Sequence, residues 1–192
     1  MHLSPQTLSA VGDSLWMIPG PMLLTPGLGL GLTFSFNANM TVSVQYTYDD
    51  PQQNPRQVTI NRAGTVATIT DNGHNLNVGD SVLISQDSSG TFGSPPVQPG
   101  SAVLPAISYD IATVVDANNY TITVPNSGSV GPVTAALQSF RVFTHPTLQN
   151  ISGNPPAKVD GNFAFQIAAF RLKCTVYAAG TATLTAQQGK GY

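Results

Sequence analysis

The sequence predicts an all-β protein, an antiparallel β-sandwich of jelly-roll-like type with a second small β-barrel or sandwich inserted into it. Several segments alternate apolar and polar residues, which is typical of half-buried strands because side chains in a strand repeat every two residues. The composition also favours strands joined by turns: all nine acidic residues are Asp, and there are 18 Gly and 15 Pro. Helix is therefore expected to be scarce.

Three alternating strand patterns lie near the C-terminus, in residues 160–167, 170–177 and 181–185. In the second segment one face is expected to enter the core, and it comprises Phe170, Leu172, Cys174 and Val176. The opposite face is expected to be polar and comprises Arg171, Lys173, Thr175 and Tyr177. The last segment turns Ala182, Leu184 and Ala186 inward and shows a face of Thr181, Thr183 and Thr185 to water or to a partner.

The N-terminal third predicts an arm followed by two strands. Residues 1–14 are polar and lack periodicity, so they are expected to form an extended arm. Residues 27–32 alternate Gly and Leu, which places the leucines on one face and leaves a glycine face that another backbone can approach. Their spacing matches neither G-x-G-x-x-G nor a Walker motif. Residues 41–48 form the most regular strand, and its core-facing side chains are expected to be Val42, Val44, Tyr46 and Tyr48.

The middle of the chain has a pattern of its own. Strands are predicted at residues 66–70, 78–85, 109–115 and 119–124, with a long exposed loop at 85–105. Polar or Pro-rich stretches at 51–62 and 125–132 bound this module. The predicted organisation is therefore an outer sandwich of residues 1–58 and 137–192, with the arm at 1–14, and an inserted β-domain of residues 59–136.

Charge excludes some classes of partner. Only 8% of the residues are charged, against about 25% in typical soluble proteins, and the net charge is −2. Nucleic acid and membrane surfaces attract clustered Lys and Arg, and the seven basic residues here are scattered, so neither partner is expected. The apolar stretch at 15–32 is interrupted by Pro and Gly, which fits neither a signal peptide nor a membrane span.

No residue is predicted to be catalytic, to bind a cofactor or to hold a metal. The histidines at positions 2, 74 and 145 lack metal-ligand spacing, and G-x-S-x-G is missing. His74 and His145 are expected to be solvent-exposed or locally bonded loop residues. Asp49 and Asp50 fit a strand-ending turn better than a calcium or acid–base site, and Cys174 fits a small buried thiol better than a nucleophile. We therefore expect a protein that is not an enzyme.

Two sets of residues resemble virion proteins of tailed phages. The outer segments resemble a type of small phage structural protein, through Val-Gln-Tyr-Thr-Tyr-Asp-Asp-Pro at 44–51, Phe-Thr-His-Pro-Thr-Leu at 143–148, Asp-Gly-Asn-Phe at 160–163, and residues 169–172 and 180–185. A β-module recurrent in phage head and tail proteins is similar to Gly-His-Asn-Leu-Asn-Val-Gly-Asp-Ser-Val at 73–82 with Asp-Ala-Asn-Asn-Tyr-Thr-Ile at 116–122.

The resemblance implies a capsid cement (decoration) protein, or failing that a tail or fibre component. It implies the major capsid protein as partner, a homo-oligomer with a trimer favoured, and a place on the virion surface after synthesis in the host cytoplasm. Uncharged strand faces rich in Thr and Gln suit docking on protein, since charged groups are depleted from interface cores. The competing class is a carbohydrate-binding module, for which exposed Trp or Tyr platforms are expected; Trp16 instead fits core or a subunit contact.

Overall fold

The structure is a computed structural model that describes residues 3–19, 27–50, 55–87, 108–124, 129–153 and 158–188. These residues form strands and no helix, which confirms the all-β prediction. Accordingly, the described ranges contain no helix long and apolar enough to cross a membrane. The strands are β1 (Gln6–Leu8), β2 (Gly12–Asp13), β3 (Leu28–Phe34), β4 (Asn39–Thr47), β5 (Arg56–Ala63), β6 (Val66–Thr70), β7 (Ser81–Asp87), β8 (Ser108–Asp116), β9 (Asn119–Thr123), β10 (Ser129–Phe140), β11 (Phe143–Thr144), β12 (Ile151–Ser152), β13 (Lys158–Phe163), β14 (Ala169–Ala179) and β15 (Ala182–Gln188).

The chain divides into two compact units. The sandwich unit comprises the described residues up to Tyr48 and from Phe143 onward, and the barrel unit those from Asp49 to Val142. The boundaries drawn from the sequence, after residue 58 and before residue 137, fall inside β5 and β10. Residues 56–62 were expected to be loop, and they form most of β5. Within residues 56–62 only the buried Val58 and Ile60 are apolar, so the alternation of apolar and polar residues is too short to indicate a strand in the sequence.

Two antiparallel sheets form the sandwich unit. Sheet A has the order β1-β15-β3-β13; sheet B has the order β11-β4-β14-β2, and β12 also pairs with β4. Apolar side chains from both sheets fill the space between them. They include Leu28, Leu30, Leu32, Phe163 and Leu184 from sheet A, and Met40, Val42, Val44, Phe170, Leu172 and Cys174 from sheet B. The leucines of the Gly-Leu repeat thus face the core, as the alternation predicts.

Two side chains predicted for this core lie outside it. Val176 is 58% exposed because a register shift between Cys174 and Val176 changes which face of β14 the following residues occupy. Tyr48 is 51% exposed because β4 ends at Thr47, so strand alternation no longer fixes its direction.

The N-terminal residues, expected to be an arm, lie along the edges of the sandwich. β1 pairs with β15 in sheet A, and β2 pairs with β14 in sheet B. Met17 then forms a bridge with Phe170. We call residues 3–17 the N-terminal strap. Its strands have three and two residues, which is too short for alternation to be visible in the sequence.

The strap covers a buried arginine on the outer side of sheet B. The sequence predicted a polar, solvent-facing position for Arg171, yet its side chain is fully buried. Its guanidinium lies 2.8 Å from the Asp13 carboxylate, its Nε donates to the Gln45 side chain at 2.9 Å, and its Cζ lies 4.6 Å from the centre of the Trp16 ring. Asp13 and Trp16 belong to the strap, so a buried charge joins the strap to the centre of the sheet.

The barrel unit closes through six antiparallel strands in the order β10-β5-β6-β9-β8-β7, and β7 pairs back with β10. The sequence predicted a small barrel or sandwich from four strands, and β5 and β10 complete it. Its core is made of Val, Ile, Leu and Tyr side chains, including Val58, Ile60, Ile69, Val82, Ile84, Ile111, Tyr120, Ile122 and Leu137.

The sandwich unit should fold without the barrel unit. Phe143 pairs directly with Tyr46, so replacing residues 49–142 by Asn-Gly leaves a four-residue hairpin loop between these two positions. We expect a soluble protein with a β-type circular dichroism spectrum and a cooperative unfolding transition. Aggregation of this variant under conditions that keep the intact chain soluble would contradict two separable units.

Arg171→Met should destabilise the sandwich unit strongly, because it leaves the partly buried Asp13 carboxylate without its cation. Removing one partner of a buried ion pair typically costs about 3–5 kcal/mol. Chemical denaturation should show a loss of this size, and Asp13→Asn in the same chain should recover part of it. Lys158→Met, at an exposed position of β13, is the matched control. Equal losses of unfolding free energy for Arg171→Met and Lys158→Met would contradict the proposed role of Arg171.

Candidate interaction surfaces

The titratable side chains are held in separate structural networks. Within the described part of the chain, no three His, Cys, Asp or Glu side chains come together as a metal site. Cys174 is a buried thiol, as predicted, and burial raises its pKa. The thiol donates a hydrogen bond to the Val176 carbonyl.

Both loop histidines predicted from the sequence are buried and locally bonded, so the solvent-exposed alternative is wrong. His74 Nδ1 accepts the backbone N–H of Leu76 at 3.0 Å, and its Nε2 lies 2.9 Å from the Asp116 carbonyl. Its ring meets Tyr120 edge-on at 4.9 Å. An Nε2 that faces a carbonyl must donate, which assigns the Nε2–H tautomer. The imidazole therefore links the turn at residues 74–76 to the end of strand β8.

His145 repeats this arrangement in the sandwich unit. Its Nδ1 accepts the backbone N–H groups of Thr147 and Leu148 at 3.3 and 3.2 Å, and its Nε2 lies 2.9 Å from the Asn162 carbonyl. The ring meets Phe163 edge-on at 4.8 Å. Each histidine thus links its own turn to a second segment, which the sequence could not reveal because the carbonyl partners, those of Asp116 and Asn162, are distant in the chain.

Three aspartates of the barrel unit accept hydrogen bonds that fix the barrel's end. The buried Asp71 accepts two bonds from Arg56, at 3.1 and 2.6 Å. Asp80 accepts the backbone N–H groups of Asn77 and Val142 at 2.7 and 2.9 Å. Asp49 accepts the backbone N–H of Arg141 at 2.6 Å and its guanidinium at 2.7 Å. The Asp49 carboxylate, one of the adjacent pair noted in the sequence, therefore ties together the two chain segments that lead into and out of the barrel strands.

These hydrogen bonds change carboxylate acidity. Partial burial acts to raise the pKa of Asp49, but the hydrogen bonds and the charge of Arg141 outweigh it and hold that pKa below its usual range. The pKa of Asp116 is lowered too, first by the backbone N–H of Asn118 and then by the side chain of Asn119. Burial and the nearby negative charge of Asp71 raise the pKa of Tyr120. Both aspartates are thus stabilised in their ionised forms.

The outer side of sheet A carries no charge along its two central strands, β3 and β15. We call it the uncharged face; its residues are Gly29, Gly31, Thr33, Thr183, Thr185 and Gln187. Thr183 contacts Thr7 through the two hydroxyls at 3.0 Å, and the Thr185 hydroxyl donates to the Gly31 carbonyl at 3.0 Å. A Cβ at Gly31 would meet the Thr185 hydroxyl at 2.8 Å, so glycine allows this close packing.

An aromatic cluster lies at one end of sheet B. The exposed fractions of Tyr48, Phe143 and Phe165 are 51%, 42% and 39%, and all three surround the buried Tyr46 with ring centres 5.5–5.7 Å away. We call these four residues the aromatic cup. The exposed rings meet at 63° and 40°, so they do not form one flat platform.

The opposite end of sheet B also exposes apolar side chains. Phe36, in the turn before β4, is 95% exposed, and Tyr177 and Val176 near the end of β14 are 36% and 58% exposed. We call this end the distal tip. The distal tip and the aromatic cup lie at opposite ends of β4, whose nine residues span about 30 Å. Trp16, by contrast, is 2% exposed beside Arg171 and offers no platform.

No protein-family model matches this sequence, and no similar curated protein is found. The exposed surfaces described above are therefore the structural basis for a proposed function.

The barrel unit should lose stability in acid. A carboxylate with a lowered pKa stabilises the folded state above the unfolded-state pKa of about 4, and this contribution is lost as the pH falls through the folded-state value. Calorimetric scans from pH 6 to pH 3 should therefore show a falling unfolding temperature. Asp49→Asn should unfold earlier at pH 6 and depend less on pH. An Asp49→Asn profile parallel to the wild type would contradict the role of this carboxylate.

Proposed function

We propose that the protein is a capsid cement (decoration) protein of a tailed phage, which binds the assembled shell through the uncharged face and stabilises it without chemistry. Its partner is the major capsid protein, and its place is the capsid surface after synthesis in the host cytoplasm. The observation that carries the proposal is the uncharged face, an exposed to partly exposed sheet surface of Gly, Thr and Gln.

Such a face is suited to protein contact rather than to small-molecule binding. The centres of protein interfaces are depleted of charged residues, whose desolvation is unfavourable. The charged side chains of β13, Lys158 and Asp160, lie beside Thr33 and Gly31, at the margin of the uncharged face. This position corresponds to the rim of an interface, which is usually polar. Hydroxyl and amide groups can exchange water for hydrogen bonds to a partner backbone.

The size of the face predicts weak binding by one copy. The whole outer side of sheet A, the uncharged face with its margins, has strands of three, seven, six and seven residues spaced about 4.8 Å apart, and it covers roughly 400 Å². A stable interface needs about 800 Å² on each partner. A shell offers many equivalent sites, so several linked copies would bind more tightly through effective concentration. A protein that binds only the assembled shell stabilises that state by mass action.

A tail or fibre component is the closest alternative, because the same face could dock on a tail protein. Whether purified capsids or purified tails retain the protein distinguishes the cement role from the tail role. A carbohydrate-binding module finds less support: Trp16 is buried, and the rings of the aromatic cup are tilted against one another rather than coplanar.

Thr185→Lys should weaken binding to the shell, because it places a charge in the middle of the uncharged face. We expect an affinity loss of about tenfold or more in co-sedimentation with purified shells, since charge at an interface centre must be desolvated. Thr59→Lys, on the exposed side of β5 in the barrel unit, is the matched control and should bind normally. Circular dichroism and thermal unfolding establish that both variants are folded.

Shells saturated with the wild-type protein should withstand a higher temperature than bare shells, and shells mixed with Thr185→Lys should not. If Thr185→Lys binds shells as well as Thr59→Lys does, the uncharged face is not the docking surface. If the wild type binds isolated tails and not shells, the cement proposal fails and the tail alternative replaces it.

A further inference from the structure

The barrel unit has a polar cavity of about 320 Å³ beside the start of β5 and the end of β10. Two arginines line it: Arg56 is the first residue of β5, and Arg141 directly follows β10. The exposed fractions of their side chains are 45% and 60%. The other lining residues, all of the barrel unit, are Asp49, His74, Asn75, Leu76 and Ser139.

Each of the two arginines is held from one side by an aspartate. Arg56 donates through Nε and Nη2 to Asp71 at 3.1 and 2.6 Å, and its Nη2 also donates to the Ser139 hydroxyl at 2.8 Å. Arg141 donates through Nε and Nη2 to Asp49 at 3.3 and 2.7 Å. Within the described ranges, neither Nη1 group has a hydrogen-bond partner. Each guanidinium is therefore fixed in place and keeps the two N–H donors of Nη1 available.

The rest of the lining supplies further donors. The Ser139 hydroxyl accepts its bond from an arginine, so its own proton can be donated to a ligand. Asn75 is exposed, and its side-chain amide makes no hydrogen bond within the described part of the chain. Its backbone has a φ of 56°, which Asn tolerates, and the turn is held because His74 accepts the backbone N–H of Leu76. The available hydrogen-bonding groups of the cavity are thus mostly donors, which suit an anionic oxygen ligand.

The charges around the cavity favour an anion with a single charge. The two arginines are balanced by Asp49 and Asp71, and a third carboxylate, Asp80, acts on the same place: the hydrogen bond and charge of Asp49, and then the charge of Asp80, raise the pKa of Arg141. A doubly charged phosphate would be repelled more strongly by these aspartates than a carboxylate would. The planar guanidinium also matches the planar carboxylate group.

We propose that this cavity binds a small molecule through its carboxylate group, which accepts hydrogen bonds from the Nη1 groups of Arg56 and Arg141. Cavities that hold small molecules start at about 300 Å³, so the ligand must be small. Because both arginines are already neutralised by aspartates, we expect low affinity, with a dissociation constant of about 1 mM. The site lies within the barrel unit and does not depend on the shell-binding proposal.

A nuclear magnetic resonance titration of the intact, ¹⁵N-labelled chain with acetate tests the proposal. At constant ionic strength, with chloride replaced by acetate, the Nε–H signals of Arg56 and Arg141 and the backbone amide signals of Asn75 and Ser139 should shift and saturate. Methyl phosphate, which is doubly charged at about pH 8, should bind more weakly than acetate at that pH.

Two matched variants separate the cavity from general electrostatics. Asn75→Asp adds a negative charge to the lining and leaves both arginine–aspartate pairs intact, so acetate should bind about tenfold more weakly or not at all. Asn61→Asp makes the same change at an exposed position towards the other end of β5 and should bind as the wild type does. Arg141→Lys keeps the charge but removes the planar fork, so it should also weaken binding by about tenfold. Thermal unfolding establishes that the variants are folded.

The absence of saturable shifts with acetate overturns the proposal, and so does equal affinity of Asn75→Asp and Asn61→Asp. Shifts that chloride reproduces overturn it as well, because they report ionic strength alone. If methyl phosphate binds more tightly than acetate, the assignment to a carboxylate is wrong and the ligand is a phosphate. If Arg141→Lys does not fold, the comparison of Asn75→Asp with Asn61→Asp decides.

Discussion

The antiparallel pairing of β4 with β14 is the constraint on which the sandwich unit depends. Its inner side supplies the residues that sheet A packs against, among them Val42, Val44, Phe170 and Leu172. Its outer side holds Arg171, which the strap must cover. Among the described residues of this unit, its two ends are where aromatic side chains are exposed. One strand pair therefore determines where this unit is sealed and where it can make contacts.

The chain uses several of its few charges in ion pairs within its two units. Arg171 pairs with Asp13 in the sandwich unit, and Arg56 and Arg141 pair with Asp71 and Asp49 in the barrel unit. Burying a charge is unfavourable unless it is paired and hydrogen-bonded, and the buried members of these pairs, Arg171 and Asp71, meet that condition. The composition that makes the sequence unusual therefore has a structural counterpart: charge fixes the strap and the barrel end, while the centre of the sheet A surface is left to Gly, Thr and Gln.

Much of the fold could be predicted because alternation follows directly from burial on one side of a strand. The leucines at 28, 30 and 32 and the core residues of β4 and β14 are of this kind. The sequence could not reveal β1 and β2, which are too short for alternation, nor the bulge after Cys174 that exposes Val176. It gave no sign of the aromatic cup, which joins Tyr48, Phe143 and Phe165 from three separate segments. Nor could it show that Arg171 is buried, since a strap distant in sequence covers it.

We propose that this protein acts on an assembled capsid through surface contact alone. The measurement that tests this is to separate DNA-filled capsids from isolated tails of the phage proposed to encode the chain and to quantify the protein in each fraction by mass spectrometry. The protein should accompany the capsids in a fixed ratio to the major capsid protein. Its recovery with tails, or only among unassembled proteins, would overturn the proposal.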